Sequence, residues 1–519
     1  MLHACNNEDE ERKVHQEMLR SCAKNTDGTH NANALFCAVT QTTQRAKAPL
    51  YAKSKKVKTR NEVNLTSDNY GALSVFIQYP QKGPLGSAYI MKLTNDERSM
   101  LDGAAGPAKQ RAMDLLVRYA EALGADRFVD TTNVAGVPGS STLFLQNYYK
   151  QKGDASYEAV FSQFDLDSDE IVAVPRMEVH ACHLQGGLDP VAWPEQGFSR
   201  EAFEHQREDE AAANSHGIQM LKTCTPYLAG NIPAKGEHCA WMESSAVVYC
   251  NSVLGARTNT EGRESTAAAM LTGKIPDWGF HRDEFRNATH LIDVEVPTES
   301  VMDWGMLGYF AGEAVGESIP VITGSLSHPD LPRHKHFGAA AASSGGVEMY
   351  HVPGVTPEAA TLEMALGSKK PAVTIKYGAL ERRRIYETLN ANGKSIKVDY
   401  VMLGCPHASL EQIQEAARLL DGRKIATGCA LWIFTSRSVK GVADLTGLTK
   451  TIQSAGGTIM TDTCSAIGRF VPKGARVVAL DSAKQVHYLP AMMNVEAWFG
   501  STEDCIRAAL TGRWEGVCP

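Results

Sequence analysis

Four short apolar segments in the last 130 residues constrain the fold more than any other feature of the chain. They span 398–403, 429–435, 456–460 and 476–480, and helical or loop segments separate them. Strands rich in Val, Ile and Leu on both faces are typical of a mostly parallel sheet covered by helices, and ligands gather beyond the carboxyl ends of such strands. The sequence therefore predicts an α/β fold whose binding crevice lies where these strands end.

Regular structure is predicted to begin just after residue 90. Thr94 and Glu97 form a capping box, in which a hydroxyl and a carboxylate satisfy backbone amides at the start of a helix. A second helical pattern opens at Pro107 and ends at Gly124, which can adopt the left-handed conformation of a helix terminus. Both signals predict that the folded body of the protein starts here.

The length of 519 residues allows about two to four domains. We expect two or three α/β lobes over 90–519, the last of them near 370–519. Residues 1–89 show no sustained helical or strand period and are interpreted as an extension. Between Arg45 and Arg60 this extension holds seven basic residues and no acidic one, which is typical of a solvated tail; a targeting or docking segment is the alternative.

Composition excludes several classes of protein. The net charge of −7 provides no chain-wide basic field, so we do not expect a nucleic-acid partner. The amino terminus lacks the pattern of a secretory signal, and no apolar run approaches the ~18 residues of a membrane span, so we expect a soluble, cytoplasmic protein with no membrane partner. Twelve cysteines are too sparse for a disulfide scaffold, although a few of them could hold metal.

Three cysteines lie where a strand or a helix-breaking loop leads into new structure. Cys405 follows a strand and precedes a capping box of Ser409 and Gln412, so the helix dipole is predicted to lower the pKa of its thiol. Cys464 follows the strand-like GGTIM, and Cys224 lies in a loop rich in Gly and Pro. Convergence of the three would suggest a metal site with incomplete protein ligation. Intervals of 181 and 59 residues match no zinc pattern, so structural or redox-inert cysteines remain the alternative.

A polar segment at 236–262 contains the groups that a carboxylate-binding site needs. Hydroxyl, amide and guanidinium groups can together bind a carboxylate. The candidates are Glu243, Ser244, Ser245, Asn251, Arg257, Thr258 and Asn259. A polar helix surface with caps is the alternative. Lys484 follows another strand end and could either face the same crevice or extend into solvent, whereas His351 is interpreted as a hydrogen-bonded core residue.

These motifs together resemble the aconitase X family over about residues 90–519. They are TCTPYLAGNIPAKGEHCAWMESSAVVYCNSVLGARTN, GAAAASSGGVEMYHVPGVTPEA, LGCPHASLEQI, TDTC and SAKQVHYLP, in the family's order. The resemblance implies a dehydratase of the aconitase superfamily, in which several α/β/α lobes surround an iron or iron–sulfur centre. By motif, the three cysteine ligands of that centre correspond to Cys224, Cys405 and Cys464.

The resemblance also implies a substrate class and a partner. Family members include cis-3-hydroxy-L-proline dehydratases and mevalonate 5-phosphate dehydratases; we expect hydroxyproline, because no basic cradle for a phosphate is identifiable. Ser244, Ser245, Arg257 and Asn259 would anchor the substrate carboxylate, with Asn251 and Thr258 beside them, and Glu243 or Lys484 would assist proton transfer. A small swivelling domain supplies a serine on a Gly- and Ser-rich loop in the family; this loop is not found in residues 1–90, so a separate small subunit is expected. A non-catalytic iron-sensing or binding protein and a structural zinc site are the alternatives.

Overall fold

A computed structural model of the chain describes residues 91–139 and 156–519. The extension interpreted for 1–89 and its basic stretch lie outside the described residues. The capping box of Thr94 and Glu97 is confirmed, as is the helix from Pro107 with Gly124 in the left-handed conformation at its end. Within these ranges, no helix is both long enough and apolar enough to cross a membrane.

The first part of the described chain is built on a four-stranded parallel sheet with strand order β4-β3-β2-β5, beside the antiparallel pair β1-β6. Helices α2 and α6 cover it with a buried apolar cluster. The elements are α1 Asn95–Leu101, α2 Pro107–Leu123, β1 Phe128–Asp130, β2 Asn133–Gly136, α3 Tyr157–Val160, β3 His180–His183, α4 Arg200–Ser215, β4 Ile218–Gln219, β5 Cys239–Trp241, α5 Ser244–Tyr249, α6 Arg263–Thr272 and β6 Lys274–Pro276.

The middle part is a three-stranded parallel sheet, β8-β7-β9, packed against two long helices that run in the same direction. Its elements are β7 His290–Thr298, α7 Val301–Val315, β8 Pro320–Leu326, α8 Leu331–Gly345, α9 Leu362–Ala365, β9 Val373–Tyr377 and α10 Ala379–Asn390. Helices α7 and α8 touch closely because Gly345 faces Gly312: a Cβ at Gly345 would lie 1.9 Å from the Gly312 carbonyl oxygen. This helix pair joins the core shared with the last part of the chain.

The last part is a five-stranded parallel sheet in the order β12-β11-β10-β13-β14. Its elements are β10 Tyr400–Leu403, α11 Leu410–Leu420, β11 Ala430–Thr435, α12 Arg437–Leu445, α13 Leu448–Ala455, β12 Thr458–Thr461, α14 Ser465–Gly468, β13 Val477–Leu480, α15 Ala483–Met493, β14 Glu496–Phe499 and α16 Thr502–Thr511. The α/β prediction is thus confirmed, and β14 adds a fifth strand to the four predicted. The strand order reverses between β10 and β13, and in parallel sheets ligands usually bind beyond the carboxyl ends of the strands at such a point.

Candidate active site

The three predicted cysteines each follow the carboxyl end of a parallel strand. Cys224 lies in the loop after β4, Cys405 comes two residues after β10, and Cys464 comes three residues after β12. All three are free thiols and are buried. They lie close enough to interact electrostatically, since a charge on Cys405 or Cys464 raises the pKa of Cys224, and a charge on Cys464 raises that of Cys405. The fold thus brings together sulfurs from loops far apart in the chain.

Burial sets the pKa values of these thiols. Loss of water raises the pKa of each one, that of Cys405 to about 12. The predicted lowering of the pKa of Cys405 is therefore wrong. The helix after β10 begins only at Leu410, with Ser409 as its cap, so Cys405 does not sit at its amino terminus. Desolvation consequently outweighs the helix dipole, which acts within about one turn.

Hydrogen-bond donors surround two of the sulfurs. The backbone N–H of His407 donates to the Cys224 sulfur over 3.2 Å, and those of Ala466 and Ile467 donate to the Cys464 sulfur. Such N–H groups stabilise thiolates that hold iron–sulfur groups and tune their potential. The donor set therefore fits an iron–sulfur group chemically. In the part of the chain that the structure describes, no three His, Cys, Asp or Glu side chains are arranged to hold a metal ion, so ligation stays a prediction.

An ion pair between the first and last parts of the chain lies beside the thiols. Lys484 on α15 places its Nζ 2.5 Å from Glu243 Oε1, and Ser245 and Gln185 donate to the same carboxylate over 3.1 and 2.9 Å. Burial would raise the pKa of Glu243, but the charge of Lys484 and these hydrogen bonds lower it to about 2. Burial likewise opposes protonation of Lys484, but Glu243 and Cys405 raise its pKa above the ordinary value. Both groups are consequently charged at neutral pH.

The remaining predicted substrate-binding residues bond mainly to the protein itself. Asn251 donates to the carbonyl of Thr258 over 2.8 Å and accepts from its N–H over 3.0 Å. Asn259 donates to the Trp278 carbonyl, and Arg257 bonds to the His281 carbonyl and pairs with Asp283. Ser244 begins α5 next to Ser245. The structure therefore joins Ser245 to Glu243 and Lys484, while substrate binding by the other five residues stays a prediction.

Three buried polar atoms beside the thiols have no hydrogen-bond partner within the described residues: Tyr227 Oη, Gln185 Oε1 and Gln485 Nε2. The amide of Gln185 bonds to Glu243 at its other end, and that of Gln485 bonds to Cys405 over 3.2 Å. Tyr227 interacts electrostatically with Cys224 and Glu243, and its ring stacks on that of Tyr249. Buried polar atoms rarely stay unpaired, so these three indicate where a ligand would bind. Sequence reasoning missed them, and only the position of Gln485 beside Lys484 offered a signal.

A buried cation supports the loop that carries Cys405. Lys335 on α8 is 1% exposed and donates to the carbonyl oxygens of Pro406 and His407 over 3.2 and 2.6 Å. Burial lowers its pKa to about 8, although the nearby Cys224 and Cys405 favour its charged form. The middle part of the chain thus fixes the backbone beside a predicted cofactor ligand.

Four charged side chains, paired in series, link the loops of Cys224 and Cys464. Lys222 Nζ lies 3.7 Å from Glu210, Glu210 lies 3.3 Å from Arg437, and Arg437 Nε contacts both carboxylate oxygens of Asp462 at 2.8 and 2.9 Å. Lys222 and Asp462 each lie two residues before a cysteine. The chain of charges therefore ties the loop of Cys224 to the loop of Cys464.

Comparisons with known proteins agree with this architecture. Models of the aconitase X first, second and third domains match residues 90–284, 288–387 and 398–511. The chain is 38% identical to the phosphomevalonate dehydratase large subunit of Methanothermobacter thermautotrophicus, over 80% of this chain and 98% of that one. It is 32% identical to the cis-3-hydroxy-L-proline dehydratase of Hypocrea jecorina, over 83% and 70%. The crystal structure of holo aconitase X from Thermococcus kodakaraensis is 32% identical and superposes with a TM-score of 0.68, over 81% and 100%. The chain therefore belongs to the aconitase X family.

Proposed function

We propose that this hydro-lyase is the large subunit of a two-chain enzyme that removes water from a small hydroxy acid with the help of an iron–sulfur group. The observation that carries the proposal is the meeting of three buried thiols with a charged Lys–Glu pair at the ends of parallel strands. Cys224, Cys405 and Cys464 would hold the group. When bound, it supplies a Lewis acid that makes the hydroxyl a better leaving group.

Lys484 and Glu243 would position the substrate rather than remove its proton. A Lys484 ammonium next to the thiols can bind a substrate carboxylate, and Glu243 keeps that ammonium charged and in place. Because the pKa of Glu243 is lowered to about 2, the carboxylate is a weak base at neutral pH. We propose that the small subunit expected from the sequence supplies the base.

Mevalonate 5-phosphate is the first substrate to test. Large subunits of phosphomevalonate dehydratases match this chain along nearly their whole length, as expected for a chain that works with a separate small subunit. Cis-3-hydroxy-L-proline, which the sequence favoured, is the second candidate. Its ammonium group would suit the ionised Glu243 and the unpaired oxygen of Gln185. The match covers 70% of each of two hydroxyproline dehydratases.

The test is an assay of the anaerobically purified chain, loaded with iron and sulfide, with and without the small subunit of an archaeal phosphomevalonate dehydratase. Both substrates are supplied, and the dehydrated product is detected by mass spectrometry. We expect one substrate to be converted only by the two-chain enzyme. Cys464→Ser should abolish iron binding and turnover, whereas Cys505→Ser, at another buried free thiol, should preserve both. Rapid turnover by the chain alone would refute the two-chain proposal, and failure of a complex that holds iron to convert either compound would refute the proposed substrates.

A further inference from the structure

One buried histidine contacts the loops of all three cysteines. His407 is 0% exposed and lies two residues after Cys405. Its backbone N–H donates to the Cys224 sulfur over 3.2 Å. Its ring nitrogens lie 2.8 Å from Thr223 Oγ1, through Nδ1, and 2.9 Å from the Thr463 carbonyl oxygen, through Nε2. Thr223 and Thr463 directly precede the other two cysteines, so one side chain connects three distant segments.

The partners fix the direction of each hydrogen bond. A carbonyl oxygen can only accept, so Nε2 of His407 must carry the proton that is donated to Thr463. In a neutral ring Nδ1 is then an acceptor, and the Thr223 hydroxyl donates to it. The same hydroxyl accepts from the backbone N–H of Thr225 over 3.1 Å, which leaves its proton free for the imidazole. Every polar group of the ring therefore has a partner of the right kind.

The backbone of His407 is held as firmly as its ring. Its carbonyl oxygen accepts from Lys335 over 2.6 Å, and that of Pro406 accepts from the same ammonium. An ordinary buried histidine of this protein is bonded less completely: His351 donates Nε2 to the Arg286 carbonyl over 2.8 Å, but its Nδ1 has no partner among the residues described. Both ring nitrogens of His407 are therefore hydrogen-bonded, in contrast to those of His351.

We infer that His407 is a positioning residue, which sets the three thiols at the mutual distances that the iron–sulfur group requires. The inference rests on the proposed function, because that proposal supplies the group. Cys224 and Cys464 lie beyond the ends of two different sheets, so the distance between their sulfurs depends on how the loops are connected. A rigid imidazole bonded to both neighbouring threonines fixes that distance. Mutation of residues that hold metal ligands in place, without binding the metal themselves, typically changes metal affinity 10- to 100-fold.

The test measures how firmly the full chain holds iron. His407→Gln keeps an N–H that can reach Thr463 but has no acceptor at the position of Nδ1, which faces Thr223. Thr223→Val removes the hydroxyl at the other end of the same hydrogen bond. The control is His351→Gln, which replaces a buried histidine outside the three cysteine loops. After anaerobic loading with iron and sulfide, we would measure iron per chain, visible absorption, the rate of iron release to a chelator and the midpoint of thermal unfolding.

We expect His407→Gln and Thr223→Val each to release iron about tenfold to a hundredfold faster than the parent chain. The double variant should release iron no faster than His407→Gln alone. Both changes remove the same hydrogen bond, so their effects are not additive. His351→Gln should lower the unfolding midpoint and leave iron release unchanged. If His407→Gln does not fold, Thr223→Val alone decides the outcome.

Three results would count against the inference, and they are distinguishable. Iron release at the parental rate from both variants would overturn the positioning role and leave the proposed function intact. Equal acceleration by His351→Gln would show that general destabilisation, not positioning, loosens the group. A parent chain that takes up no iron would overturn the proposed cofactor, and the positioning role with it.

Discussion

Removal of the Lys484 ammonium should strongly destabilise the fold, because it leaves Glu243 as a buried carboxylate without its cation. Two routes give the same magnitude. Losing one partner of a buried ion pair costs about 3–5 kcal/mol. Independently, a carboxyl whose pKa falls from 4.5 to about 2 on folding gains roughly 3 kcal/mol at neutral pH. We therefore expect Lys484→Met to lower the free energy of unfolding by about 3 kcal/mol at pH 7.

A double-mutant cycle measures this coupling. The parent, Lys484→Met, Glu243→Gln and the double variant are unfolded in urea and followed by tryptophan fluorescence. The double variant should recover much of the loss, because it contains neither buried charge. The matched control is the exposed pair Lys376–Glu295, whose coupling should stay below about 1 kcal/mol.

The dependence on pH gives a second readout with a definite sign. The pKa of Glu243 is lower in the folded chain than in the unfolded chain, so its contribution is present above pH 4.5 and is lost as the pH falls from there toward 2. The Lys484→Met variant should show less of this acid dependence. Parental stability of Lys484→Met at pH 7, with coupling near zero, would refute the description of a buried and mutually dependent pair.

Three other changes have expected outcomes. Tyr227→Phe in the assembled enzyme should lower kcat/KM by about tenfold or more at nearly parental stability, because the buried hydroxyl of Tyr227 is unpaired within the described residues. The control is Tyr377→Phe, at another such hydroxyl, which should change neither kcat/KM nor stability. A parental kcat/KM for Tyr227→Phe would contradict contact between Tyr227 and the ligand. Burial raises the pKa of Glu261 to about 7, so the free energy of unfolding falls as the pH rises from 4.5 through 7. In urea unfolding at pH 8, Glu261→Gln should therefore be more stable than the parent by up to roughly 3 kcal/mol. Equal stability of the two proteins would be the contrary result. Gly345→Ala should lower the midpoint of thermal unfolding by forcing α7 and α8 apart. The control is Gly441→Ala on the exposed helix α12, where a Cβ meets no atom within 4 Å; this change should raise the midpoint slightly. A parental midpoint for Gly345→Ala would disprove the close contact.

Features with local causes were predictable from the sequence. The capping boxes of Thr94 and Ser409 depend on residues three positions apart, and both are present in the structure. The strands of the last sheet coincide with short segments rich in apolar residues, and four of its five were predicted. Placement of cysteines after strands then followed from the geometry of parallel sheets. In each example the information lies within one element and its ends.

Features that depend on distant partners were not predictable. Asn251 has the composition of a substrate ligand, yet its amide bonds to the backbone of Thr258 and Glu348. Gly345 admits a neighbouring helix at close range, and its residue type alone does not indicate that helix. His407 lies two residues after Cys405, and its inferred role depends on threonines 184 and 56 residues away. Residue type was visible in each example, and the partner was not.

The cysteine loops are held from two sides, which explains how they keep an unfavourable backbone. Lys222 and Asp462 have φ angles of 48° and 71°, in the left-handed region that residues other than glycine seldom adopt. Each such residue costs about 1 kcal/mol or more and persists only where its surroundings fix it. Glu210 and Arg437 supply that constraint on one side, and His407 bonds to the following loop residues on the other. The thiol positions therefore depend on packing between the first and last parts of the chain, so a site of this kind forms only when those parts are docked.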